Sequence, residues 1–192
     1  MFISQSRSFI FVHIVKTAGE SVTQLFDQSG HWNDLPIGST PFGETVNRHY
    51  QNKHGLNKHS TSSEIRDVIG SSLWDQYYTF TFVRHPYSRI LSLYNYAGRM
   101  VDRHRTPYLK RLPRRARRTH AMWSWPAIRA FTESGSFTEF IHHELFWEDL
   151  ASRPQTEWIL DASGAQLVDF VGRVESLETD LKTIVDKLEI PA

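Results

Sequence analysis

Phe9-Ile10-Phe11-Val12-His13-Ile14-Val15-Lys16-Thr17-Ala18-Gly19, continuing into Glu20-Ser21-Val22 and Leu25, reads as a buried strand, a short loop and the start of a helix. A lysine, two hydroxyls and a glycine crowd the turn. Such a junction is suited to an anion: the first N–H groups of a helix have no partner within it, the helix dipole adds partial positive charge there, and Lys16 adds a full one. The plain alternative is one more buried strand followed by an ordinary helix.

A second stretch of the same kind lies further on, at Phe80-Thr81-Phe82-Val83-Arg84-His85-Pro86-Tyr87-Ser88-Arg89-Ile90-Leu91-Ser92-Leu93-Tyr94. Thr79 to Val83 suit a strand, and Pro86 suits the first turn of a helix, where a missing N–H costs nothing. Ile90, Leu91 and Tyr94 then recur at helical spacing. Arg84 thus falls at a strand's C-terminal end and Ser92 two turns into the next helix. A guanidinium fork and a serine hydroxyl suit phosphate recognition.

Elsewhere the chain alternates strands and helices, the pattern of a parallel α/β sheet. Residues 28–59, rich in Gly, Pro, Asn and His, read as a long irregular segment. Thr61 and Glu64 have capping-box spacing ahead of a helix at Ser62 to Ile69, closed by Gly70. Helices are expected near 126–134 and 137–147, the latter behind Ser136 and Glu139. Ile159 to Asp161 and Gln166 to Val168 flank Ala162-Ser163-Gly164 as a small hairpin. Leu177, Leu181, Ile184, Val185 and Leu188 mark one face of a last helix.

Two anion sites at strand-to-helix junctions suit a ligand with phosphates at both ends. The pair resembles the nucleotide-binding motifs of the sulfotransferases that use 3′-phosphoadenosine 5′-phosphosulfate (PAPS), in particular the carbohydrate sulfotransferase branch. The first, His13 to Ser21, is similar to the loop that cradles the 5′-phosphosulfate. The second, Val83 to Ser92, is similar to the segment that grips the 3′-phosphate with an arginine and a serine eight residues on. A third match, Val168-Asp169-Phe170-Val171-Gly172-Arg173-Val174-Glu175-Ser176-Leu177, looks like the family's late strand and helix start. Val15 stands where the family usually has proline. Relatives typically continue with a tyrosine-containing segment where this chain stops, so weaker closure over the nucleotide is expected.

The resemblance implies a single α/β domain over residues 1–192, with a central parallel sheet, helices on both faces and a P-loop-like phosphosulfate site. It implies transfer of a sulfuryl group from PAPS to a hydroxyl or amine of a carbohydrate or small-molecule acceptor. Lys16 would stabilise the leaving phosphate, and Thr17, Ala18, Gly19, Glu20 and Ser21 would bind the 5′ end. Arg84 and Ser92 would hold the 3′-phosphate. Arg173 is a further nucleotide contact, with an ion pair to Glu175 or Asp169 an equal account. His59 is the candidate base, in Lys58-His59-Ser60-Thr61, because imidazole titrates near neutrality and relatives often carry a histidine near the acceptor. His54 is second, and Glu20 competes. His13 is expected to be a strand or loop-edge residue.

Two other classes remain open. A nucleotide-triphosphate kinase would need Gly-x-x-x-x-Gly-Lys-Ser/Thr, whereas here Lys16 precedes Gly19. A non-catalytic PAP-binding protein would dock anionic partners through the arginine-rich segment. That segment, Arg99 to His120, carries Arg99, Arg103, Arg105, Lys110, Arg111, Arg114, Arg115, Arg117 and Arg118 against Asp102 alone. Its plain reading is a solvated basic loop; its functional reading is an acceptor-side insertion that attracts an acidic glycan or an acidic membrane surface, with Trp123 and Trp125 offering rings for sugars.

Composition bounds the rest. In 192 residues, 22 Lys plus Arg meet 21 Asp plus Glu, so overall charge gives no reason to expect a nucleic-acid partner. There is no cysteine, which removes disulfides, zinc thiolates and cysteine nucleophiles. His142-His143-Glu144 lacks the spacing for a metal site, and sulfuryl transfer from PAPS needs none. No apolar run reaches the roughly 18 residues needed to span a bilayer, and the first residues lack the order of a signal peptide. A cytoplasmic protein is the simplest fit, with a Golgi-lumenal domain lacking its anchor as the alternative.

Overall fold

The structure is a computed structural model and describes residues 1–104 and 121–190. Its contacts divide the chain into two units, residues 1–85 with 155–192, and residues 86–154. Each is taken by itself.

In the first unit, β1 (Phe2–Ser4), β2 (Phe9–Val12), β3 (Leu35–Pro36), β4 (Tyr78–Val83) and β5 (Phe170–Arg173) form one sheet in the order β3-β1-β2-β4-β5. The sheet is mixed, which corrects the expected parallel one. β2, β4 and β5 run parallel, but β1 pairs antiparallel with both β2 and β3. The sequence reading missed β1: its three residues are too short to show alternation, yet Phe2 and Ile3 lie opposite Phe11 and Ile10 across a tight turn. Asp34 pins that turn, accepting hydrogen bonds from the Ser4 and Ser6 hydroxyls and from the N–H groups of Ser6 and His31.

Period-two alternation sorts the strands onto two faces. Phe2, Phe9, Phe11, Phe80 and Phe82 line one, beneath Val22 and Phe26 of α1 (Gly19–Gln28) and Ile184 of the C-terminal helix. Their rings touch in sequence, Phe9 to Phe80 at 5.7 Å and Phe11 to Phe80 at 5.3 Å between centroids. Ile3, Ile10 and Val12 line the other face with Ile65, Trp74 and Trp158. Both faces of the central strands are therefore covered, as a parallel β2-β4-β5 core requires.

The expected irregular segment at 28–59 holds a helix, α2 (Pro41–His54). Thr40 caps it through the Gly43 N–H, Pro41 opens it and left-handed Gly55 closes it. It escaped periodicity because it buries little: only Gly43 is fully enclosed, and Phe42 is exposed. The Thr-Pro start and Gly stop were the available signals. α3 (Ser62–Ile69) is as expected, with both capping-box bonds between Thr61 and Glu64 formed; a single turn, α4 (Ser71–Trp74), follows Gly70. Residues 159–168 make one bridge, Leu160 to Gln166, rather than a ladder.

The second unit begins with α5 (Pro86–His104) and resumes at α6 (Pro126–Glu133), α7 (Phe137–His142) and α8 (Glu144–Glu148). The helix expected over 137–147 is two, because His143 adopts extended backbone and caps α8. Ala97, Val101, Met122 and Ile128 form a core there with Trp123 partly buried, while Trp125 stays partly exposed. Residues 105–120, most of the basic segment, lie outside the described residues. The chain returns to the first unit and ends its described part with α9 (Leu177–Lys187).

Candidate active site

The loop between β2 and α1 is built on unusual backbone. Lys16 and Ala18 both have positive φ, 66° and 62°, a conformation that costs a residue with a Cβ about 1 kcal/mol or more. Between them, the Thr17 hydroxyl donates to the Ile14 carbonyl at 3.0 Å and Thr17 is fully buried. That hydroxyl proton is thus engaged inside the loop, and what Thr17 can still offer a ligand is its N–H. Ala18 is the N-cap of α1, and no side chain caps the helix. The opening N–H groups, at Gly19, Glu20 and Ser21, therefore face outward from the helix start without an intrahelical acceptor, beside the half-buried Lys16.

Beneath the loop lies His13, 3 % exposed and stacked on Phe11 at 5.9 Å. His13 stands at the strand-to-loop edge, directly after β2, and also forms the loop's floor. Its ring edge approaches Gly19 so closely that a Cβ there would overlap it, which is why the helix opens on glycine. Among the described residues His13 Nδ1 has no hydrogen-bond partner. Burial holds its pKa well below the ordinary imidazole value, helped by the Met1 amine, His59, Lys58 and Lys16.

His59 is brought to the same place from a loop 46 residues away. Its Nδ1 lies 3.0 Å from the His13 carbonyl oxygen and its ring meets that of His13 edge-on at 4.6 Å. A carbonyl can only accept, so Nδ1 carries the proton and Nε2 the lone pair. His59 keeps some solvent exposure, yet burial among protein atoms pushes its pKa down to about 3; the bond to His13 opposes this, and Lys58, the Met1 amine and Lys16 reinforce it. The placement is braced from behind: Trp158 donates its indole N–H to the His59 carbonyl at 2.7 Å, and Ser62 donates to the Trp158 carbonyl at 2.6 Å. Glu20 is exposed on the first turn of α1.

Arg84 follows directly on β4, half-buried, and its peptide is held by Gln155 and its neighbour's by Glu175. The His85 N–H, with further help from Arg84 and His85, holds the Glu175 carboxyl below its ordinary pKa. Arg173 ends β5 with its side chain exposed and its N–H donating to Asp180. Ser92 is half-buried in α5 of the second unit. Lys16, Arg84 and Arg173 stand where the chain leaves β2, β4 and β5, His59 comes from the loop between α2 and α3, and all four belong to the first unit. His54 ends α2, exposed.

The sulfotransferase family model matches the whole chain, residues 1–192. The chain belongs to the sulfotransferase family. No curated protein and no solved structure matches it. For a sulfotransferase, the loop over His13 and the arginine after β4 stand at the C-terminal ends of adjacent parallel strands, where open α/β sheets bind ligands. Among the described residues of this sulfotransferase, no helix is long and apolar enough to cross a membrane, and no three His, Asp or Glu side chains converge as metal ligands.

Proposed function

We propose that this sulfotransferase takes its sulfuryl group from PAPS and transfers it to a hydroxyl or amine of a carbohydrate or small-molecule acceptor. The observation that carries this is the loop itself: two left-handed residues, an uncapped helix start and a glycine pressed onto a buried histidine, with Lys16 at the rim. Strained backbone of this kind persists where a ligand site requires it. The residues fit the donor: N–H groups and a lysine for the 5′ phosphosulfate, a guanidinium for the 3′-phosphate.

PAPS supplies a sulfuryl group already activated by its phosphate leaving group. Lys16 sets a cation where negative charge grows as the sulfur–oxygen bond breaks, and a preplaced charge lowers that barrier without reorganisation. Gly19, Glu20 and Ser21 give N–H donors to the 5′ end, with Thr17 and Ala18 shaping the turn. Arg84 takes the 3′-phosphate, the motif pairing it with Ser92, and Arg173 stands near the nucleotide. His59 receives the acceptor's proton on Nε2. Its neutral tautomer is preset by the His13 carbonyl, and the negative charge of a bound donor offsets Lys16 and Lys58, raising its proton affinity from the low resting value. Arginines of the 99–120 segment draw in an anionic acceptor.

Thermal unfolding with 3′-phosphoadenosine 5′-phosphate (PAP), against ADP with Mg²⁺ at equal concentration, tests the donor. A ligand that binds only the native state adds about 2.7 kcal/mol at a hundredfold excess over its Kd. A rise with PAP alone is expected; a rise with ADP and Mg²⁺ alone refutes PAPS as donor. PAP release from PAPS on adding candidate acceptors then separates an enzyme from a binding protein.

A further inference from the structure

We propose that Gln155 is a positioning residue for Arg84, and that the preference of this protein for a 3′-phosphorylated nucleotide depends on it. This rests on the reading that Arg84 receives the 3′-phosphate.

The β4-β5 ladder ends at Val83 and Arg173, so the Arg84 peptide has no strand partner. The Gln155 side chain substitutes for one. The Arg84 N–H donates to Gln155 Oε1 at 2.9 Å, and Gln155 Nε2 donates to the Arg84 carbonyl at 2.8 Å. One residue on, the His85 N–H donates to Glu175 Oε1 at 2.9 Å. Three successive backbone groups are thus fixed by two side chains that lie 71 and 90 residues away in sequence.

The clamp needs one donor and one acceptor side by side on a single side chain, which a carboxamide provides in fixed geometry. Its place in the chain is telling: residues 84 and 85 are the last before the 86–154 unit and Gln155 is the first after it. The amide therefore sutures the two ends of that excursion at the residue that bears the guanidinium. Among the described residues no hydrogen bond or salt bridge holds the Arg84 guanidinium, and beyond the attraction of the Glu175 carboxylate its aim depends on its backbone and stem. A guanidinium recognises phosphate through a directional fork of donors, and a fork on a loosened peptide must pay ordering entropy on binding. Gln155 does not touch the nucleotide; it acts through Arg84.

The test is calorimetric titration of the full chain with PAP and with adenosine 5′-monophosphate, which lacks the 3′-phosphate. In the parent, PAP should bind more tightly. Gln155→Met removes both bonds at similar volume; it should weaken PAP about tenfold, on the scale of one to two hydrogen bonds, and leave the monophosphate unchanged. In an Arg84→Ala background the same substitution should change neither. Equal weakening of both nucleotides, an unchanged PAP affinity, or an undiminished effect without Arg84 would overturn the proposal while leaving PAP binding intact. A parent that binds both nucleotides equally would overturn the 3′-phosphate role of Arg84 and this inference with it. If Gln155→Met does not fold, Gln155→Glu is read by the same outcomes, since it keeps the acceptor for the Arg84 N–H and loses the donor.

Discussion

Gly19→Ala isolates the loop's central contact. An added Cβ would sit 2.5 Å from His13 Cγ and nearer still to Cδ2 and Nε2. The ring cannot retreat, because Phe11 stacks on it and His59 meets it edge-on. The loop must move instead. Overpacking of this sort costs about 1–3 kcal/mol, while alanine's better helix propensity returns at most about 1 kcal/mol. The net loss should be about 1–2 kcal/mol, or roughly 2–8 °C in Tm for a chain of this size. Differential scanning calorimetry measures it, and PAP affinity should fall in parallel as the loop shifts. In a His13→Ala background the same substitution should cost nothing. A Gly19→Ala protein as stable as its parent would refute the close approach, and an equal penalty without the imidazole would show that the ring is not the obstacle.

Acid should unmask the buried histidines. The unfolded chain protonates them near pH 6.5, but the native protein holds His13 well below that and His59 down to about 3. The native state binds fewer protons, so their contribution is complete above pH 6.5 and is lost as pH falls toward the folded values. Its steepest slope is about 1.4 kcal/mol per pH unit for each ring. The buried Met1 amine, pushed down to about 4 by desolvation, acts in the same sense from pH 8 downward. Urea midpoints between pH 7 and 5 should therefore decline, and His59→Gln should flatten the decline; an unchanged slope would contradict the burial of that ring. Lys16→Ala should lower kcat by about 10²–10³ in single-turnover assays with PAPS, and full turnover in the folded variant would remove Lys16 from the chemistry. Thr61→Ala breaks the α3 capping box and should cost about 1 kcal/mol by chemical denaturation.

What could be read in advance follows from how local each feature is. β2, the loop and α1 announce themselves because buried strand, turn chemistry and helix face are consecutive in sequence, and the Thr61 to Glu64 box is likewise complete within four residues. α2 carried its caps but almost no apolar stripe, since its outer face is solvated. β1 was too short for alternation to register. His59 could be picked out by residue type and neighbourhood, but its contact with the His13 carbonyl spans 46 residues, and no pattern in either segment encodes it. Gln155 gave no signal at all. Its significance arises from a hydrogen-bonding deficit at Arg84, visible only once the end of the β4-β5 ladder is known.

The parallel order of β2, β4 and β5 also has a consequence for how the chain emerges during synthesis. β4 must wait about 90 residues for β5, its partner, and a little longer for α9, which covers Phe80 and Phe82. At roughly 5–20 residues per second that is about 5–20 s, during which the 86–154 segment is made while β4, already paired with β2 and covered in part by Phe26 of α1, keeps one edge unpaired and its phenylalanine face only partly enclosed. The sheet face lined by Phe80 and Phe82 is therefore completed only once α9 has emerged, and the growing chain on the ribosome is where that face is most open to a chaperone.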